Sequence, residues 1–193
     1  MDYYKAKELL VNGCPSECMD FFKNNGYLLE YGYSLLLSRN LNKAVSVFNN
    51  VNSNRADWAK KIISIINDSI DAYPTFFQIR SFLEIDLNLF FNSGNIDYIN
   101  KILLISNILQ QINNESYKFL GRVLLKNDCT NEAKIFLDRS LDSYYNDVEL
   151  HYLYVEYYLY NNDIDNAKKA VLNCLKINPE YYPAKKTKEL LTK

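Results

Sequence analysis

Few side chains in this sequence could do acid–base, nucleophilic or metal chemistry, and their spacing favours none of the three. A His-dependent catalytic triad could use only His151, which stands near the start of a helical segment and is typical of a packing or surface residue. Cys14 and Cys18 lie four residues apart, but a metal site needs two further ligands close by. The sequence contains no glycine-rich phosphate loop and no GxSxG motif. We therefore predict no enzymatic activity, no cofactor and no metal site.

The clustered charges have structural interpretations. Asp163 and Asp165 stand where a helix is expected to begin, and carboxylates there accept hydrogen bonds from the free N–H groups of the first turn. A basic cluster lies near the C-terminal end of the last expected helix, where the helix dipole favours positive charge. We interpret this cluster as a solvated helix cap, with contact to an anionic partner as the alternative; its residues are Lys185, Lys186, Lys188 and Lys193.

Composition limits the classes of partner. The 193 residues carry 22 basic and 23 acidic side chains, and a net charge of -1 gives no general attraction to nucleic acid. The longest apolar stretches, such as 101–108, are broken by polar residues and are too short for direct membrane insertion. The first residues lack a basic segment followed by an apolar run. We expect a cytoplasmic protein, or an envelope protein if a signal has been removed.

A repeat of 34 residues organises the second half of the chain. Residues 133–137 align with 167–171 at that offset. Within 131–141, small or apolar residues recur at i, i+3, i+4, i+7 and i+8, which is the stripe of an amphipathic helix. A second helical segment, 117–125, precedes it across the short polar link 126–130. Two helices with so short a link must pack antiparallel.

This unit resembles a tetratricopeptide repeat. The copy at 114–147 matches at Tyr117, Leu120-Gly121, Leu124, Ala133, Leu137 and Ser140. The copy at 148–181 matches at Tyr154, Tyr158, Ile164, Ala167, Val171, Cys174 and Pro179. An earlier copy at 25–58 matches at Leu28, Tyr31-Gly32, Leu35, Leu41, Ala44, Phe48 and Val51, and 80–113 is a degenerate copy. The resemblance covers about 25–51 and 80–181.

The resemblance implies an all-α fold, namely a right-handed α-solenoid of antiparallel helix pairs with about eleven or twelve helices. We expect a single domain, 1–193, with an N-terminal pair of short helices at 1–24 and a capping helix at 183–193. Between them lie repeats at 25–51, 114–147 and 148–181 and the degenerate repeat at 80–113. The 53–73 segment is an extra helix, capped by Asn54 and ended by Tyr73-Pro74, and we expect a kink or a subdomain boundary there.

In this family the first helix of each pair lines a concave groove that holds a partner. Spacing from Gly32 and Gly121 assigns the groove positions. They are Leu29 and Tyr33 in the first copy, Glu84 and Asn88 in the degenerate one, Lys118 and Arg122 in the third, and Tyr152, Glu156 and Tyr160 in the fourth. Some relatives clamp a carboxylate with Lys and Asn; here Arg122 and Leu153 replace the Asn residues, which argues against that mode. We expect Arg122 and Tyr152 to be exposed, and the groove to select a peptide with an acidic residue beside an apolar one.

The residues and the resemblance together predict a protein-interaction scaffold or adaptor, a subunit or assembly factor of a larger complex, that binds a protein or peptide partner in its concave face. Nucleic acid is not an expected partner. The alternative is a regulatory or secretion-type chaperone that shields a client protein, in which case the chain forms a homodimer.

Overall fold

The computed structural model describes residues 1–191; Thr192 and Lys193, which end the expected capping helix and basic cluster, lie outside the described residues. Over residues 1–191 the regular secondary structure is entirely helical, so the expected all-α class is confirmed. The helices are α1 Tyr3–Val11, α2 Pro15–Asn24, α3 Leu28–Leu37, α4 Leu41–Phe48, α5 Asn54–Ile66, α6 Phe76–Asn92, α7 Ile96–Leu104, α8 Ser106–Ile112, α9 Ser116–Lys126, α10 Thr130–Leu141, α11 Val148–Tyr160, α12 Ile164–Ile177 and α13 Tyr182–Leu191. Among these described helices, none is long and apolar enough to cross a membrane.

The described chain has thirteen helices where eleven or twelve were expected, because the degenerate repeat contains three. α7 and α8 are separated by a single residue, Ile105. Its N–H bonds the carbonyl of Ile102 at 3.2 Å, an i to i−3 bond that tightens the turn. The buried apolar stripe of α7 continues into α8, since Ile99, Ile102 and Leu109 are all buried.

The extra helix α5 differs from the expected 53–73 helix at both ends. Ser53, rather than Asn54, is the cap, and its hydroxyl oxygen accepts a hydrogen bond from the N–H of Ala56 at 3.1 Å. The helix ends at Ile66, well before Tyr73-Pro74, because the chain turns at Asp68, whose φ of 54° is left-handed.

The chain forms two compact units, Met1–Ser116 and Tyr117–Lys193. The division falls at the start of α9; at the extra helix, a kink or a subdomain boundary was expected. Within the first unit α5 packs against α3, α4, α6 and α7. Its Trp58, Ile62 and Ile65 side chains are buried, so the extra helix belongs to the core of the first unit.

The same turn closes α1, α2 and α5, and it also joins the two helices in each of the four repeat pairs. In each, an N–H bonds the carbonyl five residues earlier at 2.8–2.9 Å: Asn40 to Leu35, Asn95 to Phe90, Cys129 to Leu124 and Asp163 to Tyr158. The residue before each donor is left-handed, with φ of 63° at Arg39, 70° at Gly94, 63° at Asp128 and 57° at Asn162. This is the Schellman ending of a helix. Since 128 − 94 and 162 − 128 both equal 34, the turn keeps the repeat period even in the degenerate copy.

Small residues let the paired helices approach closely. A Cβ atom on Gly32 of α3 would lie 2.4 Å from the Phe48 ring of α4, and one on Gly121 of α9 would lie 2.7 Å from Leu137 of α10. Both distances are shorter than van der Waals contact allows. The alanines at the corresponding positions of the second helices, Ala44, Ala133 and Ala167, are fully buried.

The N-terminal helix pair is attached to the far end of α6. The Nδ2 atom of Asn92 donates a hydrogen bond to the carbonyl of Val11 at 2.8 Å. Gly13, between α1 and α2, has a left-handed φ of 81°, and a Cβ atom there would lie 1.9 Å from the carbonyl oxygen of Asn92. Only glycine fits this contact, so α1, α2 and the end of α6 are held together.

We predict that Gly32→Ala lowers the free energy of unfolding by about 1–3 kcal/mol, because the added methyl group overlaps the Phe48 ring in a packed core. Urea unfolding measures the loss. Phe48→Leu removes the ring atoms that the added methyl group would overlap. The double variant should therefore lose less unfolding free energy than the sum of the two single losses. Strict additivity of the two losses would show that Gly32 and Phe48 are not in contact.

Candidate functional site

A largely apolar depression of about 310 Å³ opens on the first unit. We call it the first-unit depression. It lies between α1, α3, α5 and α6, and it is lined by Lys7, Leu10, Val11, Leu29, Glu30, Tyr33, Arg55, Phe82, Ile85 and Leu89. Two of its apolar side chains are open to solvent, Val11 at 46% and Ile85 at 52%. Exposed aliphatic side chains grouped around a concavity are typical of a binding surface.

Arg55 of α5 lies beneath this depression, held between two aromatic rings. Its guanidinium carbon is 4.6 Å from the centroid of the Tyr33 ring and 4.6 Å from that of Phe82. A guanidinium group is attracted to the negative face of each ring, and its planar shape suits stacking. Among the described residues, the Nη1 atom of Arg55 has no hydrogen-bond acceptor, although it is buried.

The carboxylate of Asp86 on α6 joins three helices in the core of the first unit. Its Oδ2 atom accepts hydrogen bonds from Trp58 Nε1 at 2.6 Å and from the Tyr33 hydroxyl at 3.0 Å. Its Oδ1 atom accepts one from Arg55, with which it forms an ion pair. Burial raises the pKa of the Asp86 carboxyl, and Arg55 and the two neutral donors act against that shift. The four side chains fix α3, α5 and α6 relative to one another.

The rim of the depression carries one charge of each sign from α1 and α3. Lys7 is exposed, and its ammonium group lies 5.7 Å from the Tyr3 ring centroid. Glu30 accepts a hydrogen bond from the Tyr3 hydroxyl at 2.7 Å, which raises the pKa of Tyr3 to about 12. The rim is therefore balanced in charge, and the apolar walls dominate the surface.

The predicted groove residues of the first unit occupy different environments. Leu29 lines the depression, but Tyr33 is buried with its hydroxyl on Asp86. The α6 residues that line the depression are Phe82, Ile85 and Leu89, in place of the predicted Glu84 and Asn88. Glu84 and Asn88 are half-buried, and the Asn88 amide donates to the Glu84 carbonyl at 2.7 Å.

A second, more polar depression of about 410 Å³ lies between α9 and α11 of the second unit. It brings together three of the predicted groove residues, Arg122, Glu156 and Tyr160; the others that line it are Leu125, Lys126 and Asp128. A hydrogen bond to Asp128 raises the pKa of the Tyr160 hydroxyl. Burial raises the pKa of Glu156, and the nearby Arg122 acts against that shift. We call this surface the second-unit depression.

Lys118 was expected in the groove, but it is 4% exposed and belongs to the interior of the second unit. Its ammonium group lies 2.6 Å from Asp147 and 3.3 Å from Glu149. Arg122 is also partly buried, with its guanidinium group 2.6 Å from Glu149. These two carboxylates neutralise the expected cationic strip, so its preference for an acidic residue loses its electrostatic basis.

Tyr152 was expected to be exposed, but α13 partly covers it. Its hydroxyl lies 3.1 Å from the hydroxyl of Thr187, and its ring packs edge-on against Tyr181 with centroids 5.7 Å apart. The expectation failed because the sequence does not show which side of α11 the last helix packs against. Replacing Tyr152 would therefore change the packing of the second unit as well as its surface.

The remaining candidates for chemistry have structural contacts. Asp163 accepts a hydrogen bond from the N–H of Asn166 at 3.1 Å, as expected of a helix cap. The His151 Nε2 atom lies 2.8 Å from the carbonyl of Tyr145. Burial raises the pKa of the Cys18 and Cys174 thiols. Within residues 1–191 no cluster of three or more His, Cys, Asp and Glu side chains could hold a metal ion.

Reasoning from the sequence missed the Asp86 cluster, although one signal was available. Ile79, Leu83, Leu87 and Phe90 form the buried stripe of α6, and Asp86 stands on that same stripe. An acidic residue at a core position must find donors, because an unpaired buried carboxylate is costly. That pattern identifies Asp86 as a special residue without identifying its partners.

We predict that Asp86→Asn lowers the free energy of unfolding by about 3–5 kcal/mol, because Arg55 is left buried without a counter-charge. The matched control is Asp97→Asn, which removes a carboxylate 2.7 Å from Arg39 where both side chains are more than half exposed. Its loss should stay below about 1 kcal/mol. Equal losses for the two variants in urea unfolding would contradict the role assigned to Asp86.

A second prediction concerns acid stability. Burial acts to raise the pKa of Asp147, but hydrogen bonds from Lys118 and from the N–H groups of Leu150 and Glu149 outweigh it, and the pKa is lowered. A lowered carboxyl pKa contributes stability above the unfolded value, and this contribution is lost as pH falls through the folded value. The stability difference between the wild type and Asp147→Asn should therefore shrink between about pH 6 and pH 2.

Urea unfolding across that pH range measures the difference. Lys118→Met removes the charged donor, so its difference from the wild type should shrink over the same interval. A difference that stays constant with pH for both variants would show that the Lys118–Asp147 pair does not lower this pKa.

Comparison of the chain with family models, curated proteins and solved structures finds no match. The resemblance to tetratricopeptide repeats therefore depends on the residues quoted above.

Proposed function

We propose that the protein is a binding scaffold of the tetratricopeptide kind, and that it holds a segment of a partner protein in the first-unit depression. The observation that carries the proposal is the group of exposed aliphatic side chains, Val11 and Ile85, around a concave surface whose base is fixed. Such side chains gain most from being covered by an apolar partner, at about 25 cal/mol per Å² of buried area.

The base of the depression supports the proposal because it is ordered before any partner arrives. Arg55 is held between Tyr33 and Phe82 and is ion-paired to Asp86. A surface that needs no rearrangement avoids the loss of side-chain entropy, of about 0.5–1.5 kcal/mol for each immobilised side chain, that accompanies binding. An extended or helical segment carrying an apolar anchor fits this shape and this balanced rim.

Two local features support the tetratricopeptide kind of helix pair. The left-handed residues Gly94, Asp128 and Asn162 recur at intervals of 34, and they close the first helices of three pairs with the same hydrogen bond. Gly32 and Gly121 occupy the contact with the second helix that the family reserves for a small residue. The second-unit depression, with Arg122, Glu156 and Tyr160, remains a predicted polar contact surface.

The test compares two isoleucines that are equally exposed. Ile85 lines the first-unit depression and Ile135 lies on α10, and each is 52% exposed. Affinity purification from the native organism should recover the partner with wild type and with Ile135→Arg, and at least about tenfold less with Ile85→Arg. Both variants should melt near the wild-type temperature, because neither side chain is in a core.

Recovery of the same proteins in the same amounts by Ile85→Arg would show that the first-unit depression is not the binding surface. Light scattering, which measures the molar mass in solution, distinguishes the chaperone alternative from a scaffold. A stable dimer that Ile85→Arg converts to a monomer would favour a homodimeric chaperone over a scaffold.

A further inference from the structure

A second apolar surface lies on the second unit, along the seam between α12 and α13. A depression of about 160 Å³ there is lined by Val171, Leu172 and Leu191, with Lys168 and Lys188 beside them. Leu172 is 49% exposed. α12 packs its Ala167, Ala170, Val171 and Cys174 face inward, so Leu172 stands to one side of the face that the unit itself covers.

A neighbouring depression continues the same seam. It measures about 410 Å³ and is lined by Leu175, Pro179, Lys185, Lys188 and Glu189, so Lys188 borders both. The α12 residues that line the two depressions run from Lys168 to Leu175, and Pro179 follows the end of the helix. Seven residues of helix correspond to about 10 Å, which is about two turns of a helix laid along the seam.

The charge around this seam is opposite to that of the whole chain. Three lysines, Lys168, Lys185 and Lys188, and one acidic residue, Glu189, line the two depressions. The chain as a whole carries a charge of -1. A second acidic residue, Glu180, lies 2.8 Å from Lys185. The surface is therefore an apolar strip with lysines on both sides.

We propose that this seam, which we call the α12–α13 seam, binds an amphipathic helix of a partner protein whose apolar stripe is flanked by acidic residues. The ridge of a helix fits the groove between two others, and leucines at i, i+3 and i+7 would enter the two depressions. Acidic residues beside that stripe would face Lys168 on one side and Lys188 on the other. This interface is separate from the first-unit depression and does not depend on the function proposed above.

A protein helix fits this site better than an anionic membrane. The apolar residues lie in a narrow groove between two helices, whereas a membrane-binding helix presents its apolar residues on a convex face. Lys168 and Lys188 flank the groove on two different helices, so they match charges on both edges of an inserted helix. Binding to vesicles is therefore kept as a contrary outcome of the test.

The test uses the whole chain and two synthetic helical peptides with the same leucine stripe, one flanked by Glu and the other by Lys. Fluorescence anisotropy at physiological salt should show binding of the Glu peptide at least about tenfold tighter than that of the Lys peptide. Leu172→Ser should weaken binding of the Glu peptide about tenfold, whereas Ile135→Ser, at a similarly exposed site on α10, should leave that affinity unchanged. Lys168→Glu with Lys188→Glu should reverse the preference between the peptides.

Three outcomes would overturn the proposal. The first is equal affinity for the two peptides, or equal effects of Leu172→Ser and Ile135→Ser. The second is binding to phosphatidylserine vesicles that Leu172→Ser abolishes, without discrimination between the peptides. The third is self-association in sedimentation velocity that Leu172→Ser abolishes, which would make a second copy of the chain the occupant. Because Ile85 is not part of the α12–α13 seam, none of these outcomes bears on the first-unit depression.

Discussion

Each of the four repeat pairs depends on one backbone hydrogen bond, in which an N–H just after the first helix bonds the carbonyl five residues earlier. This bond requires a left-handed residue just before its donor, and three of the four such residues, Arg39, Asp128 and Asn162, are not glycine. The chain then reverses within a few residues, so the second helix starts against the first. That proximity is why Gly32 and Gly121 have no room for a Cβ atom.

The first unit meets a further constraint, the buried carboxylate of Asp86. Moving a charge out of water costs several kcal/mol, and apolar residues of similar size often give equal or greater stability. The carboxylate does something that apolar residues cannot, because each of its hydrogen bonds has a direction. Donors from α3 and α5 meet on one residue of α6, so the positions of these helices are set together. The first-unit depression takes its shape from that arrangement.

The sequence predicts the local features of this fold well and the distant contacts poorly. The 34-residue spacing and the caps are visible because each depends on residues a few positions apart, as at Asp163 and Asn166. The Asp86 cluster joins residues up to 53 positions apart, and no local pattern names the partners. The same limit explains why Lys118 was assigned to a groove. Helical spacing gives the side of the helix on which a residue lies, but not the carboxylate that meets it, here Asp147 at the start of α11.

The contact between Gly13 and the end of α6 has a consequence for the order in which the protein is made. The Asn92 amide that bonds the Val11 carbonyl leaves the ribosome 81 residues after it. Until then α1 and α2 lack part of their packing surface, so the first unit completes its folding as a whole. The contacts of the second unit run mainly between successive helices, from α10 to α13, and such helices can be added to the stack in the order of synthesis. During translation the first unit therefore cannot complete its packing until α6 has been synthesised, whereas the helices of the second unit can pack one after another.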